Sequence, residues 1–287
     1  MAQHGIEMIL MRKLAAQLTM PILLVDPRGD LVFYNEAAAG ILGGRFEDTG
    51  PIVRGEWTTI FRPANADGSL IKREELPLFI ATEQRRPAHR SGFVRGFDGV
   101  SRFFEGIAFP LTGQCRRMLG AVGIFWDSAS PPAPGTPFAG GPVDLASPGP
   151  DRPVELLLMR QLTSYLDTAI FLMGPDGTLL FFNEPSEVLL GQRFDETEPM
   201  DAERWSGLLE PEDELGASVP RGERPLVVAL REQRPAHKRF AIRGFDGARH
   251  PIEGLAFPLV NRARRQLGAV GIFWKRVVER VAEAARA

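Results

Sequence analysis

The stretch ILLVDPRGDLVFYNEAAAGILG, residues 22–43, lays out two short apolar strands, a tight turn and the start of a helix. Pro27 and Gly29 separate the two apolar runs, which is typical of a hairpin turn. Asn35 follows the second run, so we expect it to cap a short helix that ends near Gly43. The same order of residues returns 148 positions later, in IFLMGPDGTLLFFNEPSEVLLG at residues 170–191.

This second occurrence belongs to a long internal repeat. Residues 7–126 align with residues 155–274 without a gap, and 53 of the 120 aligned pairs are identical. Such a repeat has the size of an ordinary domain and exceeds the roughly 20–50 residues of a solenoid or propeller unit. We therefore expect one domain at residues 6–127 and a second at residues 154–275.

The remaining segments predict connectors rather than domains. Segment 128–153 contains eight prolines among its 26 residues, and most of the others are Gly, Ala or Ser. This composition favours an extended linker, because it offers little apolar surface to bury. The last residues, 276–287, fit a short amphipathic helix.

Composition excludes several classes of function. The formal net charge is −2, which gives no reason to expect nucleic acid or a membrane surface as a partner. The sole cysteine, Cys115, aligns with Ala263, which excludes an internal disulfide and a cysteine-based metal site. No apolar run reaches the length of a membrane span, and the N-terminus lacks the features of a signal peptide. We therefore expect a cytoplasmic protein without a metal.

Each copy follows the same order of predicted elements: an opening helix, two strands, several short helices and three strands. This order is typical of an α+β fold, with helices on one face of a five-stranded antiparallel sheet. The opening helices are predicted over residues 6–18 and 154–166. Each carries an apolar stripe that suits a core-facing or partner-facing helix. We predict these stripes as an interface between the domains or between two chains, and they consist of Leu10, Leu14 and Leu18, and of Leu158, Leu162 and Leu166.

Residues 22–43 resemble the opening of a PAS domain, with its strand, Gly turn, second strand, Asn and Leu-Gly helix. Residues 98–126 resemble the closing PAS hairpin and last strand. The resemblance covers about 120 residues in each copy. It implies a five-stranded antiparallel sheet with helices on one face. It also implies a role in sensing, ligand binding or dimerisation, usually on behalf of an attached effector.

Departures from the PAS pattern shape the functional expectation. The Asp-Ile-Thr type junction after the last strand is absent, since Trp126 is followed by Asp-Ser and Trp274 by Lys-Arg. No segment resembles a kinase, a cyclase or a DNA-binding domain. We therefore expect a non-enzymatic signalling protein that passes its signal in trans, to a protein partner or through self-association.

The cofactor is left open by the sequence, although neither flavin nor haem is expected. The Asn-Cys-Arg-Phe signature of flavin-binding relatives is absent. His89 and His237 recur in the two copies, but they fall where the long helix gives way to a strand. The haem ligand of PAS relatives lies within that helix. A hydrogen-bonding role at the surface therefore fits these histidines better.

A ligand pocket is expected between the sheet and the long helix of each copy. The candidate apolar lining residues are Phe79, Val94, Phe104 and Ile124 in the first copy, and Val227, Ile242, Ile252 and Ile272 in the second. The candidate polar residues are Arg95, Glu105, Arg243 and Glu253. A cross-strand ion pair within each hairpin is the competing reading of these charges.

Two alternatives stay open at this point. One is a PAS-type adaptor or oligomerisation module whose core is filled and which binds no ligand. The other is an enzyme that uses the repeated His, Arg and Glu residues. The chain shows no spacing typical of a catalytic site and no phosphate-binding glycine loop, so no catalytic residue is assigned.

Overall fold

A computed structural model describes residues 5–126, 154–196, 200–201, 204–205, 207 and 209–275. The predicted linker at 128–153 and the predicted C-terminal helix at 276–287 lie outside these described residues. None of the helices in the described ranges is long and apolar enough to cross a bilayer.

The first copy contains five strands and a series of short helices. Its helices are α1 (Ile6–Gln17), α2 (Glu36–Leu42), α3 (Phe46–Thr49), α4 (Arg54–Phe61) and α5 (Pro77–Glu83). Its strands are β1 (Ile22–Val25), β2 (Leu31–Tyr34), β3 (Ala88–Arg95), β4 (Ser101–Gly113) and β5 (Arg117–Trp126). They form one antiparallel sheet in the order β2-β1-β5-β4-β3.

The second copy repeats this arrangement. Its helices are α6 (Val154–Thr163), α7 (Glu184–Leu190) and α8 (Pro225–Glu232). Its strands are β6 (Ala169–Met173), β7 (Leu179–Phe182), β8 (Ala236–Arg243), β9 (Arg249–Val260) and β10 (Gln266–Lys275). The sheet order is β7-β6-β10-β9-β8. The predicted α+β fold is therefore confirmed in both copies.

The opening helices end slightly earlier than the apolar stripes suggested. α1 ends at Gln17, because Leu18 already has the extended backbone angles φ −93° and ψ 147°. The Leu18 N–H donates to the carbonyl of Ala15, which closes the last turn. α6 ends at Thr163, so Leu166 lies beyond the helix.

The described chain divides into two compact units. Of the described residues, the first unit contains 5–126, 154–167 and 259–267, and the second contains those within 168–258 and 268–275. α1 and α6 both belong to the first unit and contact each other there. Leu14 of α1 and Leu162 of α6 are 0% and 2% exposed, so both stripes have buried centres.

A core lies between each sheet and the helices that follow its second strand. In the first copy, α5 packs on β4, β5 and β3. Leu78 of α5 is buried together with Ala108 of β4 and Phe125 of β5. The equivalent core of the second copy includes Leu226 of α8 and Phe273 of β10. This layer between sheet and helix holds the cavities described next.

Candidate functional site

The first copy contains an apolar cavity between the sheet and α5, with a volume of about 100 Å³. Every residue that borders it is aliphatic, aromatic, proline or glycine. The bordering residues are Leu23, Leu31, Leu42, Trp57, Phe61, Pro63, Leu76, Pro77, Leu78, Val94, Phe104, Gly106, Ile107, Ala108, Gly123, Ile124 and Phe125. The indole N–H of Trp57 donates to the carbonyl of Gly29 at 3.3 Å, so the polar atom of this ring already has a partner.

The equivalent cavity of the second copy is smaller, at about 40 Å³. Aromatic side chains occupy positions that are smaller in the first copy. Phe171 stands where the first copy has Leu23, and Phe240 stands where it has Gly92; both rings border the second cavity. These two larger residues outweigh two opposite exchanges, of Phe61 for Leu209 and of Phe104 for Ile252.

The second cavity also differs in charge. Arg224 borders it at the position of Leu76. The Nε–H of Arg224 donates to the carbonyl of Val219 at 3.2 Å. Burial lowers the pKa of this guanidinium, and the nearby charge of Arg221 lowers it further. A purely apolar environment is therefore a property of the first cavity and not of both.

The predicted apolar residues fall in different places. Val94 and Phe104 border the first cavity, and Ile242 borders the second. Ile124 also borders the first cavity. However, strand alternation turns its side chain to the face opposite to Phe125, and it lies in register with Ile22 and Ile107.

The other predicted apolar residues border neither of these two cavities. The ring of Phe79 lies on α5 under the guanidinium groups of Arg54 and Arg73, at 4.6 and 5.2 Å. Ile252 is fully buried in the core of the second copy. Val227 and Ile272 lie on α8 and β10 without bordering the second cavity.

The predicted polar residues form surface contacts on the late strands, and none of them borders a cavity. Glu105 bonds to His89 at 2.8 Å, and Glu253 bonds to His237 at 2.6 Å. Register explains why these glutamates do not meet the strand-end arginines. Arg95 lies opposite Ser101, whereas Glu105 lies opposite Ser91.

Sequence reasoning missed Leu23, Trp57, Phe61 and Leu76 as cavity residues. A signal for three of them was present, because the size or polarity of the residue changes between the copies at Leu23/Phe171, Phe61/Leu209 and Leu76/Arg224. In the described part of the chain, no group of three His, Cys, Asp or Glu side chains is placed to hold a metal ion.

No protein-family model matches this sequence, and no curated protein matches it. Solved structures similar to the chain are PAS and LOV domains. The PAS domain of a protein from Colwellia psychrerythraea is 19% identical, covers 42% of this chain and 96% of its own, and has a TM-score of 0.33. An RNA-binding light-oxygen-voltage receptor is 16% identical and covers 89% of this chain and 95% of its own, with a TM-score of 0.33.

A third similar structure is the PAS domain of nitrogen regulation protein NR(II) from Vibrio parahaemolyticus. It is 16% identical, covers 42% of this chain and 98% of its own, and has a TM-score of 0.32. The fold of the present chain, two five-stranded antiparallel sheets each with helices after the second strand, is PAS-like in both copies. The resemblance found in the sequence is confirmed at this level.

Proposed function

We propose that this chain is a signalling protein whose first copy binds a small apolar molecule in its cavity and whose output passes to a protein partner. The observation that carries the proposal is the wholly apolar cavity of about 100 Å³ in the first copy. Apolar cavities of about 150 Å³ stay free of water and bind molecules such as benzene. The proposed ligand is therefore no larger than a single ring.

The second copy serves a different role in this proposal. Phe171 and Phe240 border its cavity, which leaves about 40 Å³. This volume suits a packed structural domain better than a ligand site. The role proposed for the second copy is to support the interaction with the partner, and the protein acts without catalysing a reaction.

Benzene and pyrazine, which share a shape, form a matched pair of probes for the first cavity. No described side chain around the cavity offers a hydrogen bond to a ring nitrogen, so pyrazine should bind at least about tenfold more weakly. At a benzene concentration ten times its Kd, linkage stabilises the first copy by about 1.4 kcal/mol. Thermal unfolding should then shift upward by several degrees, roughly 3–8 °C.

A variant with the second-copy residues tests whether the cavity is the site. Leu23→Phe combined with Val94→Ile should remove the shift caused by benzene while the protein still folds. Gly92→Phe is unsuitable, because a Cβ at Gly92 would lie 2.7 Å from the carbonyl oxygen of Ala64. An equal benzene shift in the double variant would contradict the proposed site. Absence of any shift in the unmodified protein would favour the adaptor alternative.

We also propose that the two leucine stripes serve association, since α1 and α6 contact each other and their centres are buried. A Leu14→Glu, Leu162→Glu double variant places two unpaired carboxylates in this contact, which costs several kcal/mol if they stay buried. Small-angle scattering and sedimentation should then show that the particle has expanded or dissociated. The strand content, measured by circular dichroism, should stay unchanged. If the dimensions of the particle were unchanged, each helix would serve only its own domain and not association.

A further inference from the structure

A salt bridge of the second copy has no equivalent in the first. The carboxylate of Glu210 accepts a hydrogen bond from Nε of Arg243 at 2.9 Å. Arg243 is the last residue of β8, and its guanidinium also lies beside the turn at Gly247. The second copy therefore shows which chemical group this position binds, namely a carboxylate.

The first copy has arginine at both positions. Arg62 replaces the glutamate, and Arg95 is the counterpart of Arg243. The backbone has nearly the same φ at the two positions, 40° at Arg62 and 37° at Glu210. Arg95 ends β3 as Arg243 ends β8, and its guanidinium lies beside Gly99. Arg62 and Arg95 thus occupy the two positions that a salt bridge joins in the second copy.

No carboxylate within the described part of the chain pairs with Arg62 or Arg95. The nearby Asp98 is held by Arg102 at 2.6 Å. Both unpaired arginines are exposed. Two arginines at these paired positions without an internal acid favour an external anion, and a carboxylate fits their planar donors.

A groove with both apolar and polar walls continues from Arg62. It has a volume of about 480 Å³ and is bordered by Thr58, Thr59, Arg62, Pro63, Leu70, Ile71 and Arg73. Leu70 is 61% exposed, so its side chain is open to solvent at this groove. Its counterpart in the second copy is Ser218. The first copy thus combines Leu70 with arginine at both positions, whereas the second copy has Ser218, Glu210 and Arg243 there.

We propose that Arg62, Arg95 and Leu70 form a docking face for a segment of a partner protein that carries a carboxylate next to an apolar side chain. This inference rests on the proposed function in that it names the chemistry of the partner that receives the signal. The carboxylate takes the place that Glu210 occupies in the second copy. The apolar side chain covers Leu70 in the groove. Positive charge on the face selects acidic segments, and the groove selects those with an apolar residue beside the acid.

The test uses the full chain and acetylated, amidated tripeptides as probes. Glu-Leu-Glu should bind and shift the side-chain NMR signals of the two arginines and the methyl signals of Leu70. Glu-Ser-Glu should bind several-fold more weakly, and Lys-Leu-Lys should not bind. Binding of Glu-Leu-Glu should also weaken as salt is raised, because the face is exposed. Equal binding of the acidic and basic peptides would overturn the proposal.

Two variants carry the residues of the second copy, so both should fold. Arg62→Glu supplies an internal carboxylate for Arg95 and should weaken Glu-Leu-Glu binding at least about tenfold. Leu70→Ser should remove the preference for Glu-Leu-Glu over Glu-Ser-Glu. Unchanged affinity in Arg62→Glu would overturn the docking face.

Two further measurements separate this proposal from its alternatives. The Leu23→Phe, Val94→Ile variant should lose benzene binding and keep peptide binding, so failure of the cavity and failure of the docking face are distinguishable. Segment 127–153 contains Asp144 between Val143 and Leu145 and could itself occupy the face. If Asp144→Asn raised the affinity for Glu-Leu-Glu tenfold, the occupant would be this chain's own segment, and the proposed partner in trans would be wrong.

Discussion

Replacing Asn35 by alanine should destabilise the first copy by about 3–7 kcal/mol. The residue is 3% exposed and lies between β2 and α2. Its side chain joins three segments through five backbone groups: the carbonyl oxygens of Ala15 (2.9 Å), Leu18 (3.3 Å) and Met20 (2.7 Å) accept from Nδ2, and the N–H groups of Ile22 (3.1 Å) and Ala38 (3.0 Å) donate to Oδ1.

The magnitude follows from the groups that lose a partner. Loss of the helix cap at Ala38 costs about 1 kcal/mol. Leaving a buried donor or acceptor without a partner costs about 1–3 kcal/mol for each group. The Ile22 N–H and the Met20 carbonyl are two such groups, since both bonds to Asn35 are buried.

Urea unfolding followed by tryptophan fluorescence and circular dichroism measures this loss. Asn35→Asp is the matched control, because it keeps both acceptor bonds and loses the donor that faces three carbonyl oxygens. Burial and these carbonyls should raise the pKa of the new carboxyl above its unfolded value of about 3.9. The loss of folding stability in Asn35→Asp is therefore full at neutral pH, and it shrinks as the pH falls through the raised pKa of the folded state.

Two outcomes would refute this reasoning. One is a loss below about 1 kcal/mol in Asn35→Ala, which would mean that the five bonds are replaced at little cost. The other is an Asn35→Asp variant that matches the unmodified protein at neutral pH. That result would show that the amide donor toward α1 contributes nothing.

The remaining predictions concern a glycine and a carboxylate. Gly120→Ala should unfold the first sheet in a thermal scan, because φ is 138° and a Cβ would overlap a backbone carbonyl of β1. Gly55→Ala in α4 is the control, because a Cβ there meets open space and the variant should be neutral or stabilising. Hydrogen bonds from the side chain of Arg102 and then from the N–H of Val100 lower the pKa of Asp98 to about 2. NMR titration of the carboxyl should find a midpoint there, and a higher midpoint that stays below about 3.9 in Arg102→Ala. The stability contributed by this pair should be present above about pH 4 and lost as the pH falls toward 2.

The order of elements could be predicted from local patterns, but contacts at long sequence separation could not. The position of Asn35 before a small-residue run predicts a helix cap, because that bond spans three residues. Its bonds to Ala15 and Met20 depend on where α1 ends in space, and no local pattern encodes that position. Helix ends illustrate the same limit, since the apolar stripe runs on to Leu18 although the backbone has already become extended.

Candidate site residues were harder to predict because they depend on strand register. Arg95 and Glu105 lie on adjacent strands of one hairpin, which makes a cross-strand pair plausible from spacing alone. The turn instead places Arg95 opposite Ser101, and His89 becomes the partner of Glu105. Phe79 shows a second limit. It lies on the predicted helix, but two arginines hold its ring outside the cavity through cation–π contacts.

The differences between the copies are more informative about function than the identities. Turn glycines such as Gly29 and Gly177 are retained, because both have φ 86° and any other residue would be strained. Size and charge change instead at the cavity, as at Gly92/Phe240, and at the docking face, as at Arg62/Glu210. Two copies under one common functional requirement would differ mainly at solvated positions that touch nothing. The exchanges Leu23/Phe171, Leu76/Arg224 and Arg62/Glu210 alter volume and charge at the cavity and at the docking face. They favour the proposed division of labour, in which the first copy meets ligand and partner and the second copy supports the interaction with the partner.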